Sequence, residues 1–269
     1  MAGLAGLAGC RTRERPAAAS PEQPTGKKGL CLTTKAEDWH ERLASLDCEW
    51  FYTWGALRPP QTPEGLAFTP MIWGYWRDDE KIAEAGRKAK EAGIGQLLGF
   101  NEPDKKDQSN LSVEKALGAW PLLEATGLRL GSPACVHPDT EWMQAFMTRA
   151  KTRGLRVDFV CVHTYHGPNV EALVRRLTET HRMYGRPIWV TEFAVGDWEA
   201  KSVGQNRHKP ETILRFMEKA LPALEKLDFV ERYAWYPAKP DNRALGTSAL
   251  FDGEGSLTPL GEFYRDFTA

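Results

Sequence analysis

Eight short apolar runs, all but the second followed by a segment of helical period, restrict this chain more than any other feature. The runs cover 29–33, 49–54, 67–73, 96–101, 129–134, 158–165, 188–193 and 231–236. They are rich in Val, Ile, Phe, Trp and Tyr on successive positions, the pattern of strands buried on both faces. Between them lie helical patterns at 36–46, 78–92, 112–126, 140–153, 170–184 and 211–227, and a last one at 259–267. Gly93, Gly127, Gly154 and Gly185 serve as helix stops. The connection 55–66 carries Pro59, Pro60 and Pro63, so its helix is expected to be short or missing. Eight strands alternating with helices over about 240 residues fit an α/β fold, a (β/α)8 TIM barrel forming a single domain over 27–269. A doubly wound open sheet is the main competitor, and no Gly-rich dinucleotide fingerprint follows any predicted strand.

Residues 1–26 are small, Pro-rich and non-periodic, which reads as a short disordered N-terminal leader or linker. Within it, Leu7-Ala8-Gly9-Cys10 has the form of a bacterial lipoprotein processing site, without a preceding basic residue and with a short apolar segment. A secreted or cell-envelope location, with a trimmed signal, is the expectation that follows. A net charge of −1 gives no electrostatic footprint for nucleic acid or an anionic membrane. The five cysteines show neither a CxxC pair nor zinc spacing, so no disulfide framework or structural metal is expected.

In a barrel the C-terminal ends of all strands share one rim, where active sites of this fold sit. The predicted strand ends carry Trp54, Trp73, Asn101-Glu102, His137 just past its strand, His163-Thr164-Tyr165, Glu192 and Trp235-Tyr236. Acids, an amide, imidazoles and aromatics are therefore sorted to one rim, while the helices carry an ordinary mixture of Lys, Arg and Glu. Strands four and seven lie across the mouth from each other, so Glu102 and Glu192 can flank a sugar. Two such carboxyl groups are what glycoside hydrolysis requires, and at ~5–5.5 Å apart they would act with retention. Their pKa values are expected to be driven apart, one acid held protonated by the charge of the other.

Each residue also has a plainer reading. A glutamate at a strand end is commonly a solvated loop residue, and Asn101 can close the turn before Pro103. His163 and Tyr165 face one way on a strand and can be hydrogen-bonded core groups. Asp104 is expected to cap the following turn. A metal at His163 and His166 is not expected, because no third clustered ligand is visible. Trp54, Trp73 and Trp235 serve equally as packing or as sugar platforms, Trp235 being the best placed. A lyase or aldolase barrel would call for a lysine or metal at a strand end, and only Lys239 comes near one.

Gly99-Phe100-Asn101-Glu102-Pro103-Asp104 together with Trp189-Val190-Thr191-Glu192-Phe193 resembles the catalytic core of glycoside hydrolase family 128, a family of clan A retaining glycosidases. The resemblance spans 29–267. It implies Glu102 as acid/base, Glu192 as nucleophile, Asn101 at the sugar 2-hydroxyl, Tyr165 bonded to the nucleophile and Trp235 beneath the reacting sugar. His163, Trp54, Trp73, His137 and Tyr236 complete the expected substrate-binding set. It further implies an endo-β-1,3-glucanase acting on laminarin- or curdlan-type glucans, with no cofactor and no metal, expected as a monomer. The alternatives are a clan A hydrolase of another β-glycan and a non-catalytic glucan-binding barrel.

Overall fold

The computed structural model describes residues 26–268. Cys10 and the rest of the expected leader before Gly26 lie outside the described residues. The strands are β1 Lys28–Cys31, β2 Trp50–Tyr52, β3 Ala67–Phe68, β4 Gln96–Leu97, β5 Arg129–Leu130, β6 Val160–His166, β7 Ile188–Val195 and β8 Val230–Trp235. They alternate with helices α1 Trp39–Ala44, α2 Asp79–Glu91, α3 Val113–Ala125, α4 Glu141–Thr152, α5 Val170–Tyr184, α6 Pro210–Glu225 and α7 Pro259–Asp266. No helix stands between β2 and β3, where three prolines remove backbone donors.

Every strand pairing is parallel, with one ladder ordered β3-β2-β1-β8-β7-β6 and a second pairing β4 with β5. Single parallel bridges, Met71 to Leu98 and Gly131 to Phe159, join the two ladders at their two seams. The arrangement is that of the (β/α)8 barrel. Strands three, four and five are shorter than the apolar runs suggested. Pro70 and Pro133 lack the N–H that a ladder needs. Close approach also interrupts β4: a Cβ on Gly99 would lie 2.8 Å from the Gly131 carbonyl oxygen. That position therefore admits only glycine.

Aromatic residues close the N-terminal end of the barrel. The buried Arg232 guanidinium lies 4.2 Å from the Trp189 ring centroid and 5.4 Å from that of Trp50. Beside it, Arg129 forks onto Glu231 at 2.6 and 2.8 Å, and Trp189 Nε1 donates to the same carboxylate at 2.8 Å. This plug leaves the opposite, C-terminal mouth as the open end. The start of β1 is tied to the ends of α6 and α7. Lys27 Nζ donates to the carbonyls of Glu225 and Leu227 after α6, and Lys28 Nζ to those of Tyr264, Arg265 and Phe267 at the end of α7. Ammonium groups at helix C-termini satisfy carbonyls left without intrahelical partners. Cys31, Cys48, Cys135 and Cys161 are all free thiols.

Candidate active site

Glu102 and Glu192 meet in the C-terminal mouth. One carboxylate oxygen of each and a ring nitrogen of His163 lie within 4.8 Å of one another. How the chain aims them there is not simple alternation. On β7, Trp189 points into the barrel with Trp50 and Phe159, while Val190 and Phe193 pack outward under the helices. Strict alternation from Trp189 would send Glu192 outward. The register instead shifts: Val162 pairs with Val190 but His163 pairs with Glu192, leaving Thr191 as an extra residue. This bulge restores the glutamate to the inner face. At the end of β4 the change is made by backbone conformation, Glu102 standing at φ 37°. Trp54, just past β2, stands at φ 58°. Non-glycine residues in the left-handed region are uncommon and concentrate at functional sites.

Glu192 is held by three donors. Trp54 Nε1 donates to Oε1 at 2.8 Å, and the Tyr52 hydroxyl lies 3.1 Å from Oε1 and 3.1 Å from the Thr191 carbonyl. The Tyr165 hydroxyl donates to Oε2 at 2.5 Å. Burial, and next the Glu192 charge, push both phenols well above their usual pKa, so they remain O–H donors. Such a cradle fixes the carboxylate and aims hydrogen-bond donors at both of its oxygens, the setting a carboxylate nucleophile calls for. Tyr236 closes the aromatic ring around it, edge-on to Trp54 at 6.0 Å and to Tyr165 at 5.7 Å.

Glu102 has different company. His163 Nδ1 lies 3.1 Å from its Oε1, and Lys105 Nζ 3.8 Å from its Oε2. Burial alone would raise its pKa. The hydrogen bond and charge of His163, followed by Lys105 and His137, outweigh that and hold it below the usual carboxylate range. The expectation that one of the two acids is held protonated by the charge of the other is not met at Glu102, because the imidazole stands between the two acids.

Several other expectations need correction. Trp235 is no sugar platform: it is 0% exposed, with Nε1 donating to the Ser248 carbonyl and its face against Phe193. It alternates with inward-facing Ala234 and so points under the helices with Tyr233, while Tyr236 takes the mouth. Trp235→Ala is expected to lower stability by ~3–5 kcal/mol, read by urea unfolding, with glucan affinity unchanged in the folded fraction. His163 is 0% exposed and engages the two glutamates, not solvent or sugar. Trp54 serves first as a donor to Glu192. Asp104 also accepts from the Val136 N–H at 3.2 Å, tying the β4 loop to the β5 loop. His163 does have further metal-binding groups nearby, since both glutamates lie beside it. However, its two nitrogens face different carboxylates, so neither lone pair points at a spot shared by both acids.

Asn101 is buried, with Nδ2 donating to Gln108 Oε1 at 3.2 Å and Oδ1 unpartnered. His137 stacks on His166 at 6.1 Å beside Glu102. Trp73 stacks on Trp76 at 5.7 Å. Tyr52, Lys105, Gln108, Trp76 and Trp198 were missed by the sequence reading. Tyr52 had a signal, since Trp50, Tyr52 and Trp54 alternate on one face. Trp76 and Trp198 are 58% and 52% exposed, lie in loops without periodicity, and had none.

Residues 29–264 match the family model described as a glycosyl hydrolase catalytic core. An endo-β-1,3-glucanase of glycoside hydrolase family 128, subgroup I, from Amycolatopsis mediterranei, solved with laminaritriose, is 36% identical. The match covers 89% of this chain and 98% of that one, with a TM-score of 0.76. The chain belongs to glycoside hydrolase family 128. A subgroup III member of family 128, a curdlan-specific exo-β-1,3-glucanase from Blastomyces gilchristii solved with glucose, is 29% identical over 91% of this chain and 99% of that one, with a TM-score of 0.71. Alkali-sensitive linkage protein 1 of Schizosaccharomyces pombe is 28% identical over 252 residues, 89% of this chain but 44% of the relative. The chain thus spans less than half the length of that curated relative.

Proposed function

We propose that this family-128 chain cleaves internal β-1,3-glucosidic bonds of β-glucans by double displacement, with Glu192 as nucleophile and Glu102 as acid/base. The separation of the two carboxylates carries the reading. Oxygens within 4.8 Å of each other leave no room for the water that an inverting pair, ~6.5–9.5 Å apart, must hold. The asymmetry of their surroundings supports these roles: three fixed donors on Glu192, and a titratable partner on Glu102. Endo action is favoured by the greater identity to the subgroup I endo-glucanase, 36% against 29% for the exo-acting relative. Trp73–Trp76 at the β3 end and Trp198, edge-on to Tyr165 at 5.9 Å, offer apolar faces on either side of the acids. A polymer of this kind is met outside the cytoplasm, in keeping with the secreted or cell-envelope location expected from the leader.

The test is digestion of laminarin, curdlan, a β-1,4-glucan and a β-mannan, with the first product anomer followed by proton NMR. Laminarin and curdlan are expected to yield β-configured oligosaccharides of mixed length. An α-configured first product would overturn the mechanism, and cleavage confined to the other two polymers would overturn the substrate. Binding of laminarin without cleavage would leave a sugar-binding barrel in its place.

A further inference from the structure

Between the two acids lies a ring whose wiring can be counted in protons. His163 Nδ1 faces Glu102 Oε1 at 3.1 Å, and Nε2 faces Glu192 Oε1 at 3.4 Å. The second contact is one of charge and proximity, and nothing else satisfies Nε2. The ring is 0% exposed, so water cannot repair a mismatch. A neutral imidazole carries one N–H, while the cation carries two. With both glutamates ionised, a neutral ring would turn a bare lone pair toward one carboxylate, a costly arrangement where the dielectric is low. The cation presents a donor to each.

We infer that His163 is a positioning residue that stores the catalytic proton: in the free enzyme it stands as an imidazolium between two ionised glutamates, and Glu102 collects its acid proton from Nδ1 after the sugar binds. The inference deepens the hydrolase reading above and rests on it. Its surroundings agree. Burial alone would lower the pKa of His163, but Glu192 first, then Glu102 and Asp104, raise it above the ordinary histidine value. On the Glu102 side, Lys105 and His137 favour the ionised carboxylate. On the Glu192 side, Tyr52, Trp54 and Tyr165 donate to the anion. Burial, as the largest influence, keeps the Cys31 thiol from β1 and the Tyr236 phenol just past β8 neutral, the latter with its pKa pushed up to about 12.

The proton balance closes over one turnover. The Nδ1–H bond breaks as an O–H bond forms on Glu102, and a half-turn about the broad terminal torsion of the glutamate presents it to the glycosidic oxygen. That oxygen takes the proton and the electron pair of its bond to the anomeric carbon, while a Glu192 oxygen bonds to that carbon. Glu192 thereby loses the charge that most strongly holds the imidazolium, so attack and proton release are coupled. His163 is left neutral, its bare Nδ1 against Glu102, which makes Glu102 a stronger base for the incoming water. Water then bonds to the anomeric carbon, Glu192 leaves with its electron pair, and the proton from water returns through Glu102 to His163.

The direct test needs no variant. In the free enzyme labelled with nitrogen-15 at histidine, the His163 ring signals, assigned through its backbone, are expected to show both nitrogens protonated at neutral pH. Trapping Glu192 with a 2-deoxy-2-fluoro glucoside is expected to convert the ring to the neutral form. A neutral ring in the free enzyme, or a ring unchanged by trapping, overturns the inference. The pH profile of kcat/KM gives a second readout. With His163→Asn the basic limb is expected to fall by about one pH unit or more, because Glu102 must then hold the proton alone. A lower rate with an unmoved basic limb would mean the ring only props up the site. Failure to cleave laminarin at all would sink the hydrolase reading but leave the spectroscopic result standing, so the two failures are distinguishable.

Discussion

Glu192→Gln is expected to lower kcat/KM on laminarin by ~10⁴-fold or more while leaving the fold and oligosaccharide binding in place. The amide removes the negative oxygen that bonds to the anomeric carbon, and no neighbour can replace it. Tyr52, Trp54 and Tyr165 are donors, and Glu102 is engaged by His163. The geometry tolerates the change. The amide oxygen can keep the bonds from Tyr52 and Trp54, and its NH2 can donate to the Tyr165 oxygen. Melting temperature and laminari-oligosaccharide titration on the same preparation check both halves. A loss of less than ~10-fold would remove Glu192 from the bond-making step.

Glu102→Gln is expected to divide substrates by their leaving group. On laminarin the alkoxide must be protonated as it departs, so the loss should be ~10²–10⁴-fold. An aryl glucoside whose phenol leaves unassisted should form the covalent intermediate nearly as fast as the parent. Its hydrolysis should then stall, because no base activates water, and the intermediate accumulates as a burst. Azide, which needs no base, should restore turnover and give a β-glucosyl azide. Equal losses on both substrates, with no effect of azide, would assign the proton transfer to another group.

The order of elements was legible because each strand is an apolar run with its own punctuation, and the barrel follows from their number and alternation. The two glutamates were legible for the same reason: each ends a buried run. Which side of a strand a residue takes was less so. Tyr236 and Trp235 are adjacent and aromatic, and composition cannot separate them. Alternation from Ala234, the small residue that fits the crowded barrel interior, does separate them, and it places Trp235 in the core. Gln108, Lys105, Trp76 and Trp198 come from loops, whose path depends on contacts far away in the chain. The electrostatics of the pair were misread because each carboxylate was weighed against the other without the imidazole that stands between.

The surplus residue in β7 has a consequence for comparing sequences. Removing Thr191 would leave an unbulged strand in which plain alternation, Trp189 inward and Val190 outward, still turns the carboxylate after it into the cavity. The aim of the glutamate there is a property of pairing register as much as of residue type. A one-residue gap inside a strand, ordinarily a sign of a poor alignment, is at this position compatible with an armed cavity.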